Sequence, residues 1–134
     1  MRFRFSYVVI KPYKRPIIPI TLRHEGNSIK YLALIDSGAD FNIFHSEIAD
    51  ILKIDLSKLK EVKFSGINKD AEATGRYTGV TLGIEKFMFE SPVIFSDQIP
   101  SFGCGILGQQ GFFNHFRIKF DYKKSDIQLR TGND

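Results

Sequence analysis

One segment of the sequence has residues whose types and spacing could do acid–base chemistry. An apolar run, Leu32-Ala33-Leu34-Ile35, leads directly into Asp36-Ser37-Gly38. A carboxylate delivered at the end of a buried strand can exchange protons with water or a substrate, which is general acid–base catalysis. The plainer alternative is a turn aspartate that hydrogen-bonds its own backbone. A second unit, Ile106-Leu107-Gly108, lies about seventy residues downstream and favours the catalytic interpretation.

The other chemically capable side chains do not suggest a second site. His24, His45 and His115 lack the spacing of metal ligands, so we expect surface or capping histidines and no metal. Ser37 is not part of the Gly-x-Ser-x-Gly turn of nucleophilic hydrolases. Cys104 is the single cysteine, which excludes an internal disulfide and suggests a small buried core thiol. No cofactor is predicted.

The elements that must position Asp36 are predicted to be strands. Residues 2–10 have strand-like alternation, and the three prolines between residues 12 and 19 indicate an extended connector or sheet edge. Strands are predicted at residues 18–23 and 29–35, joined by a turn at 25–28 in which Gly26 and Asn27 tolerate positive φ. A longer helix follows, with Ser46 as its N-cap and Lys53 near its end.

The second half of the chain is also predicted to be mostly β. Residues 62–95 have the pattern of consecutive hairpins, and residues 116–122 and 127–129 are strand-like. Between them, a glycine-rich stretch at 101–111 leads into a short helix that buries Phe112, Phe113 and Phe116. Residues 1–134 are therefore predicted to form a single domain.

Composition limits the classes of function. The 134 residues carry a net charge of +4, with 43% hydrophobic and 25% charged residues, which is typical of a folded globular domain. No segment approaches the ~18 apolar residues of a membrane span. A cytoplasmic protein with no membrane partner is expected. The mild basic bias gives little support to the alternative of a β-domain that binds nucleic acid, and no nucleic-acid partner is predicted.

The two motifs resemble those of the retropepsin-like aspartic proteases, over about residues 30–130. Leu34-Ile35-Asp36-Ser37-Gly38-Ala39-Asp40 is similar to the family's apolar-apolar-Asp-Thr/Ser-Gly-Ala motif, and Ile106-Leu107-Gly108 to its second hallmark. The resemblance implies an all-β, barrel-like acid-protease domain with a β-hairpin flap and one or two short helices. It also implies peptide-bond hydrolysis of a peptide or protein substrate.

The resemblance implies that Asp36, Ser37 and Gly38 are the catalytic residues. Two aspartates that share one proton can activate water and polarise a carbonyl, but the chain has one Asp-Ser-Gly and half the length of a pepsin. The second carboxylate is therefore expected from Asp36 of another copy across a two-fold axis. The terminal strands, residues 3–10 and 127–129, are the predicted interface, and trimming them should weaken the dimer before it unfolds the core.

Substrate contacts are implied for Ala39, Asp40 and Ile106, and for a flap around residues 65–70 that includes Gly66, Ile67 and Asn68. Two features depart from the viral pattern: the charged, longer flap, and Gln109 where viral enzymes carry an arginine that supports the dimer. Arg2 or Arg4 could take the place of that arginine. The leading hypothesis is a homodimeric aspartic endopeptidase. The alternative is a catalytically inactive retropepsin-fold module for dimerisation or peptide binding.

Overall fold

The fold is built almost entirely from β-strands. A computed structural model describes residues 1–65, 72–99 and 103–132. The strands are β1 (Arg2–Ser6), β2 (Val8–Ile10), β3 (Tyr13–Arg15), β4 (Ile17–His24), β5 (Asn27–Ile35), β6 (Asn42–His45), β7 (Lys60–Ser65), β8 (Glu72–Ile84), β9 (Phe87–Ser96), β10 (Cys104–Leu107), β11 (Phe116–Asp121) and β12 (Asp126–Thr131). The helix α1 spans Ser46–Ile51, and 3-10 turns span Leu56–Lys58 and Phe113–His115.

Seven strands form one sheet that closes on itself. Their order is β4-β5-β10-β6-β9-β8-β7, and β4 also pairs with β8. The 13-residue β8 makes this closure possible, because its first residues pair with β7, most of its length pairs with β9, and its far end pairs with β4. The enclosed core is apolar, with Phe44, Phe95 and Phe112 among its fully buried side chains.

Strand β10 lies between β5 and β6. It runs parallel to β5, with Ile106 opposite Leu34 and Leu107 opposite Ile35, and antiparallel to β6, with Ile106 opposite Ile43. The chain must therefore cross the end of β10 to pass from β5 to β6. Residues 36–41 make that crossing, which places the Asp36 segment against the residues that follow β10.

The two ends of the chain meet in a three-stranded sheet of order β1-β12-β11. Phe3, Ile127 and Leu129 from this sheet are buried in the main core cluster. Trimming β1 or β12 would remove core side chains of the same chain, which contradicts the expectation that trimming weakens the dimer before it unfolds the core. Their part in a dimer interface stays a prediction.

Several local predictions need correction. The helix has only six residues, and its N-cap is His45, whose Nδ1 accepts a hydrogen bond from Glu47 N, rather than Ser46. The chain leaves the helix through Lys53, which has a φ of 59°. The β4–β5 turn has its positive φ at Glu25 and Gly26, one residue earlier than predicted, and Asn27 already belongs to β5.

The proline-rich segment is more regular than predicted. Residues 8–15 form a two-stranded ribbon of β2 and β3, and Pro19 lies inside β4. Proline is tolerated there because β8 pairs only with residues 21–23 of β4, so Pro19 has a strand neighbour on one side alone. Within the described ranges, no helix is long and apolar enough to cross a membrane.

Candidate active site

Asp36 is held at the end of β5 by backbone hydrogen bonds on both sides. Ile35 N donates to Pro16 O at 2.9 Å, and Asp36 N donates to Leu107 O at 2.9 Å. The second bond continues the parallel pairing of β5 with β10 by one residue. The aspartate is half-buried, at the point where the strand gives way to the crossing segment.

The carboxylate of Asp36 is oriented by the turn that follows it. Gly38 N donates to Asp36 Oδ1 at 2.9 Å, and Ala39 N donates to Asp36 O at 3.1 Å. A Cβ on Gly38 would lie 3.2 Å from Oδ1, so glycine gives the N–H an unobstructed approach. This close approach is compatible with the catalytic interpretation of Asp36-Ser37-Gly38. The same hydrogen bond is also what the alternative of a purely structural turn aspartate predicts. The other carboxylate oxygen, Oδ2, has no protein partner in the described part of the chain.

Gln109 and Gln110, which follow β10, donate hydrogen bonds to the backbone of the Asp36 turn. Gln109 N donates to Ala39 O at 2.9 Å, and Gln110 N donates to Asp40 O at 2.8 Å. The side chain of Gln109 adds a third bond, from Nε2 to Ser37 O at 2.9 Å. Gln109 therefore braces the turn itself. Arg4 pairs with Asp126 in the terminal sheet, and a role of Arg2 or Arg4 in supporting a dimer stays a prediction.

Gly108 allows the two segments to approach this closely. A Cβ at this position would lie 2.4 Å from Phe41 O and 2.7 Å from Ala39 O, which are backbone atoms that cannot rotate away. The glycine of the second hallmark is therefore required by the contact between its own backbone and the residues that follow Asp36.

A buried asparagine that sequence reasoning missed joins the same two segments. Asn42 is fully buried, and its Oδ1 accepts a hydrogen bond from Gly108 N at 2.9 Å. Its Nδ2 donates to Ser91 Oγ at 2.8 Å, and Ser91 Oγ donates to Gly111 O at 2.8 Å. The available signal was one polar residue inside the apolar stretch Phe41-Asn42-Ile43-Phe44. Unpaired, such a buried amide would be costly.

An apolar cluster lies between the Asp36 turn and the β7–β8 hairpin. Ile43, Ile94 and Ile99 are buried in it, and the partly buried members are Phe41, Val62, Phe64 and Ile106. The ring of Phe41 also meets that of Tyr77 edge-on, with centroids 6.1 Å apart, and Tyr77 is 39% exposed. Of these residues, only Ile106 was predicted as a substrate contact. Such a partly covered apolar surface can receive apolar side chains of a peptide.

The remaining predicted contacts are only partly described. Ala39 is half-buried and Asp40 is exposed; no hydrogen bond or ion pair to the Asp40 carboxylate occurs within residues 1–65, 72–99 and 103–132. The flap residues Gly66, Ile67 and Asn68 lie outside the described residues. The strands that flank them pair antiparallel up to Ser65 opposite Glu72.

Cys104 lies at the start of β10, opposite Leu32 of β5. It is half-buried rather than fully buried as expected, and its burial raises the pKa of the thiol. The thiol is therefore a poor nucleophile at neutral pH. Among the described residues, no group of three His, Cys, Asp or Glu side chains is arranged to hold a metal ion.

Comparisons with known proteins bear on the fold and the family. A family model described as "Aspartyl protease" matches residues 20–110. A retropepsin-like aspartic protease from Rickettsia conorii has a TM-score of 0.64 at 17% identity, covering 95% of this chain and 98% of that chain. The EIAV protease complexed with the inhibitor HBY-793 has a TM-score of 0.53 at 22% identity, covering 76% of this chain and 88% of that chain. No curated protein matches the sequence. The predicted all-β, retropepsin-like fold is confirmed.

Proposed function

The chain belongs to the aspartyl protease family, and on that premise we propose that it is a homodimeric aspartic endopeptidase. The observation that carries the proposal is that the turn containing Asp36-Ser37-Gly38 is hydrogen-bonded to the segment after β10. There the carboxylate is fixed by Gly38 N and the turn by Gln109. A turn with only a structural role would need the hydrogen bond from Gly38 N to Asp36. It would not need the residues after β10 to hydrogen-bond the same turn.

The active site is completed by Asp36 of a second copy. Asp36 Oδ1 accepts a hydrogen bond from Gly38 N, while Oδ2, which has no partner among residues 1–65, 72–99 and 103–132, can face a second carboxylate. At contact distance the two carboxylates retain one proton between them, because both cannot ionise side by side. The pair titrates as a unit, so its apparent pKa values belong to the dimer. The exposed Ser37 hydrogen-bonds across the interface and braces the two turns.

Hydrolysis then follows from the shared proton. The ionised carboxylate takes a proton from water as the water oxygen bonds to the scissile carbonyl carbon, and the protonated carboxylic acid donates its proton to the carbonyl oxygen. The carboxyl group that took the proton from water passes it to the leaving nitrogen as the carbon–nitrogen bond of the tetrahedral species breaks. The other carboxylate takes the proton of one hydroxyl of that species as the hydroxyl oxygen becomes a carbonyl oxygen. A new amine and a new carboxyl group result, and the dyad returns to its singly protonated state.

The substrate lies along the apolar cluster beside the Asp36 turn. Ile106 and Ala39 bound the space next to the carboxylate, Asp40 binds the peptide backbone, and Gly66, Ile67 and Asn68 cover the peptide from the flap. The catalytically inactive module, which remains the alternative, was suggested by the charged, longer flap and by Gln109. Its hydrogen bond to Ser37 O gives that residue a supporting role at the turn, so its presence does not argue for a lost activity.

Mixing wild type with Asp36→Asn chains tests the shared site. If each site needs two chains, an excess of the inactive chain draws wild-type chains into mixed dimers and suppresses cleavage of a fixed peptide. Dilution of wild type alone lowers activity per chain for the same reason. Cleavage that is unaffected by both the excess variant and dilution would overturn the dimeric site. An excess of unrelated folded protein is the control.

A further inference from the structure

The β7–β8 hairpin extends beyond the strand that pairs with it inside the barrel. Pairing between β8 and β9 ends at Arg76, which lies opposite Phe95. The part of the hairpin beyond this pair consists of residues 62–65 of β7 and 72–75 of β8, and is called the outer hairpin. Within the described ranges, its two strands pair only with each other.

Side chains take the place of β9 at Thr74. The register of β8 and β9 would bring Asp97 opposite Thr74, but β9 ends at Ser96. Ser96 Oγ instead donates a hydrogen bond to Thr74 O at 2.7 Å, and Gln98 Oε1 accepts one from Thr74 N at 2.6 Å. Ser96 Oγ also accepts a hydrogen bond from Gln98 N at 3.1 Å. We call Thr74, Ser96 and Gln98 the Thr74 clamp.

Gly75 packs β8 tightly against β9 directly beside the clamp. A Cβ at this position would lie 2.5 Å from Ile94 Cγ2 and 2.7 Å from Phe95 O, and the second of these is a backbone atom that cannot rotate away. The contact with β9 therefore fixes the position of β8 as far as Gly75. The clamp extends this fixed part of β8 by one residue toward the outer end of the hairpin.

The outer hairpin forms one side of the apolar cluster beside the Asp36 turn. Val62 and Phe64 of β7 are partly buried members of that cluster. Ile99, which follows Gln98 in the chain, is a buried member at 7% exposure. Gln98 and Ile99 therefore act on the same surface, the first through a hydrogen bond to β8 and the second through apolar packing. A displacement of the outer hairpin would widen the cluster on the side of Val62 and Phe64.

The hydrogen bond of Gln98 suits positioning better than stabilisation. Gln98 is exposed, so water can replace its oxygen as the acceptor for Thr74 N with little change in the free energy of unfolding. Water does not fix the place of β8, whereas a side chain of defined length and direction does. The hydroxyl of Ser96, a residue that is 2% exposed, is used both as a donor to Thr74 and as an acceptor from Gln98.

We propose that Ser96 and Gln98 are positioning residues for peptide binding, because they hold the outer hairpin where Val62 and Phe64 contact a bound peptide. The inference rests on the proposed function, in which the apolar cluster receives side chains of the peptide. In the described part of the chain, neither residue hydrogen-bonds to the Asp36 turn. Loss of the clamp therefore weakens binding of the ground state and the transition state alike, which raises KM at constant kcat.

Three single substitutions test the proposal in the full chain. Gln98→Ala removes the acceptor of Thr74 N, and Gln98→Glu keeps an oxygen in its place. Thr81→Val is the matched control, because Thr81 Oγ1 donates an exposed hydrogen bond of the same length, 2.6 Å, to Glu90 Oε1 between β8 and β9, away from the outer hairpin. Thermal unfolding establishes that each variant is folded. Hydrogen exchange of the Thr74 amide is measured by NMR, and kcat and KM are measured for one peptide that wild type cleaves.

We expect the Thr74 amide of Gln98→Ala to exchange at least about tenfold faster than that of wild type, and the other two variants to exchange at nearly the wild-type rate. KM should rise several-fold in Gln98→Ala alone, with kcat within about twofold of wild type. Faster exchange with an unchanged KM would overturn the positioning role, and unchanged exchange would overturn the clamp itself. If wild type cleaves no peptide, the proposed function fails, and the exchange rates alone then support or overturn the clamp.

Discussion

Asn42 Oδ1 accepts a hydrogen bond from Gly108 N at 2.9 Å, across 66 positions of sequence. This buried bond joins β6, which follows the Asp36 turn, to Gly108, whose backbone packs against the same turn. Asn42 Nδ2 is used at the same time by Ser91. A single side chain thus holds together three segments on which the position of the candidate catalytic carboxylate depends.

Replacing Asn42 with leucine should destabilise the protein. Asn42→Leu leaves Gly108 N without a partner in a buried setting and removes the bond to Ser91, which should cost about 2 to 4 kcal/mol of unfolding free energy. Urea denaturation measures the change. Asn27→Ser is the control, since Asn27 is half-buried and makes one long bond, Nδ2 to Leu52 O at 3.4 Å; it should cost less than about 1 kcal/mol. Equal effects of the two substitutions would contradict the role given to Asn42.

Adding one methyl group at Gly108 should displace the Asp36 turn. The new Cβ of Gly108→Ala would overlap the backbone of Phe41 and Ala39, so we expect a loss of about 2 kcal/mol or more in stability, together with lost peptide cleavage. Gly79→Ala is the matched control, because a Cβ at Gly79 meets nothing within 4 Å. Thermal unfolding and cleavage are measured on both variants, and a Gly108→Ala protein indistinguishable from Gly79→Ala would refute the close-packing argument.

Gln109 should affect catalysis more than stability. Gln109→Ala removes the bond to Ser37 O, which is exposed and therefore worth about 1 kcal/mol or less to the fold. The Asp36 turn loses a brace, so kcat should fall several-fold while KM changes little. Gln110→Ala is the control, because Gln110 contacts the loop through its backbone N–H, which the substitution keeps. A rise in KM at constant kcat would instead assign Gln109 to substrate binding.

Stability should decrease in mild acid in part because of His115. Its burial lowers the pKa of the imidazole below the ordinary value of 6.5, so the unfolded chain takes up a proton at higher pH than the folded chain does. The contribution of the neutral ring is therefore complete above about pH 6.5 and is lost as the pH falls through the folded pKa. His115→Phe keeps a ring against Phe89, whose centroid lies 4.4 Å away, but does not titrate. Urea denaturation across this range should show a shallower loss of stability in the variant; parallel curves would contradict the assignment.

Residues that belong to short sequence motifs could be predicted from the sequence. Residues whose role depends on contacts between distant strands could not. Asp36, Gly38 and Gly108 were found because a strand end, a tight turn and a close backbone contact each demand a particular residue locally. Asn42 was missed because its partners, Gly108 and Ser91, are brought to it only by the order of β6, β9 and β10.

The same limit explains two further differences. The hydrogen bonds of Ser96 and Gln98 with Thr74 exist only because β9 stops pairing with β8 after Phe95, which the sequence pattern does not indicate. The helix after β6 ends early because Lys53 takes a left-handed conformation, and Ile54 N then donates to Ala49 O at 2.9 Å across the end of the helix. A lysine gives no sequence signal for such an ending, which glycine usually marks. The flap assignment and the reading of the chain as one domain stay predictions.

The central claim is that Asp36 hydrolyses peptide bonds, and it is tested most directly by incubating wild type and Asp36→Asn with an unbiased peptide library from about pH 3 to pH 7. Asparagine keeps an oxygen for Gly38 N, so the turn is retained while the shared proton is lost. We predict cleavage by wild type, strongest where the dyad retains one proton, and none by the variant. Equal cleavage by both proteins would contradict the claim. Peptide binding without cleavage by a folded, dimeric wild type would contradict it in favour of the binding module.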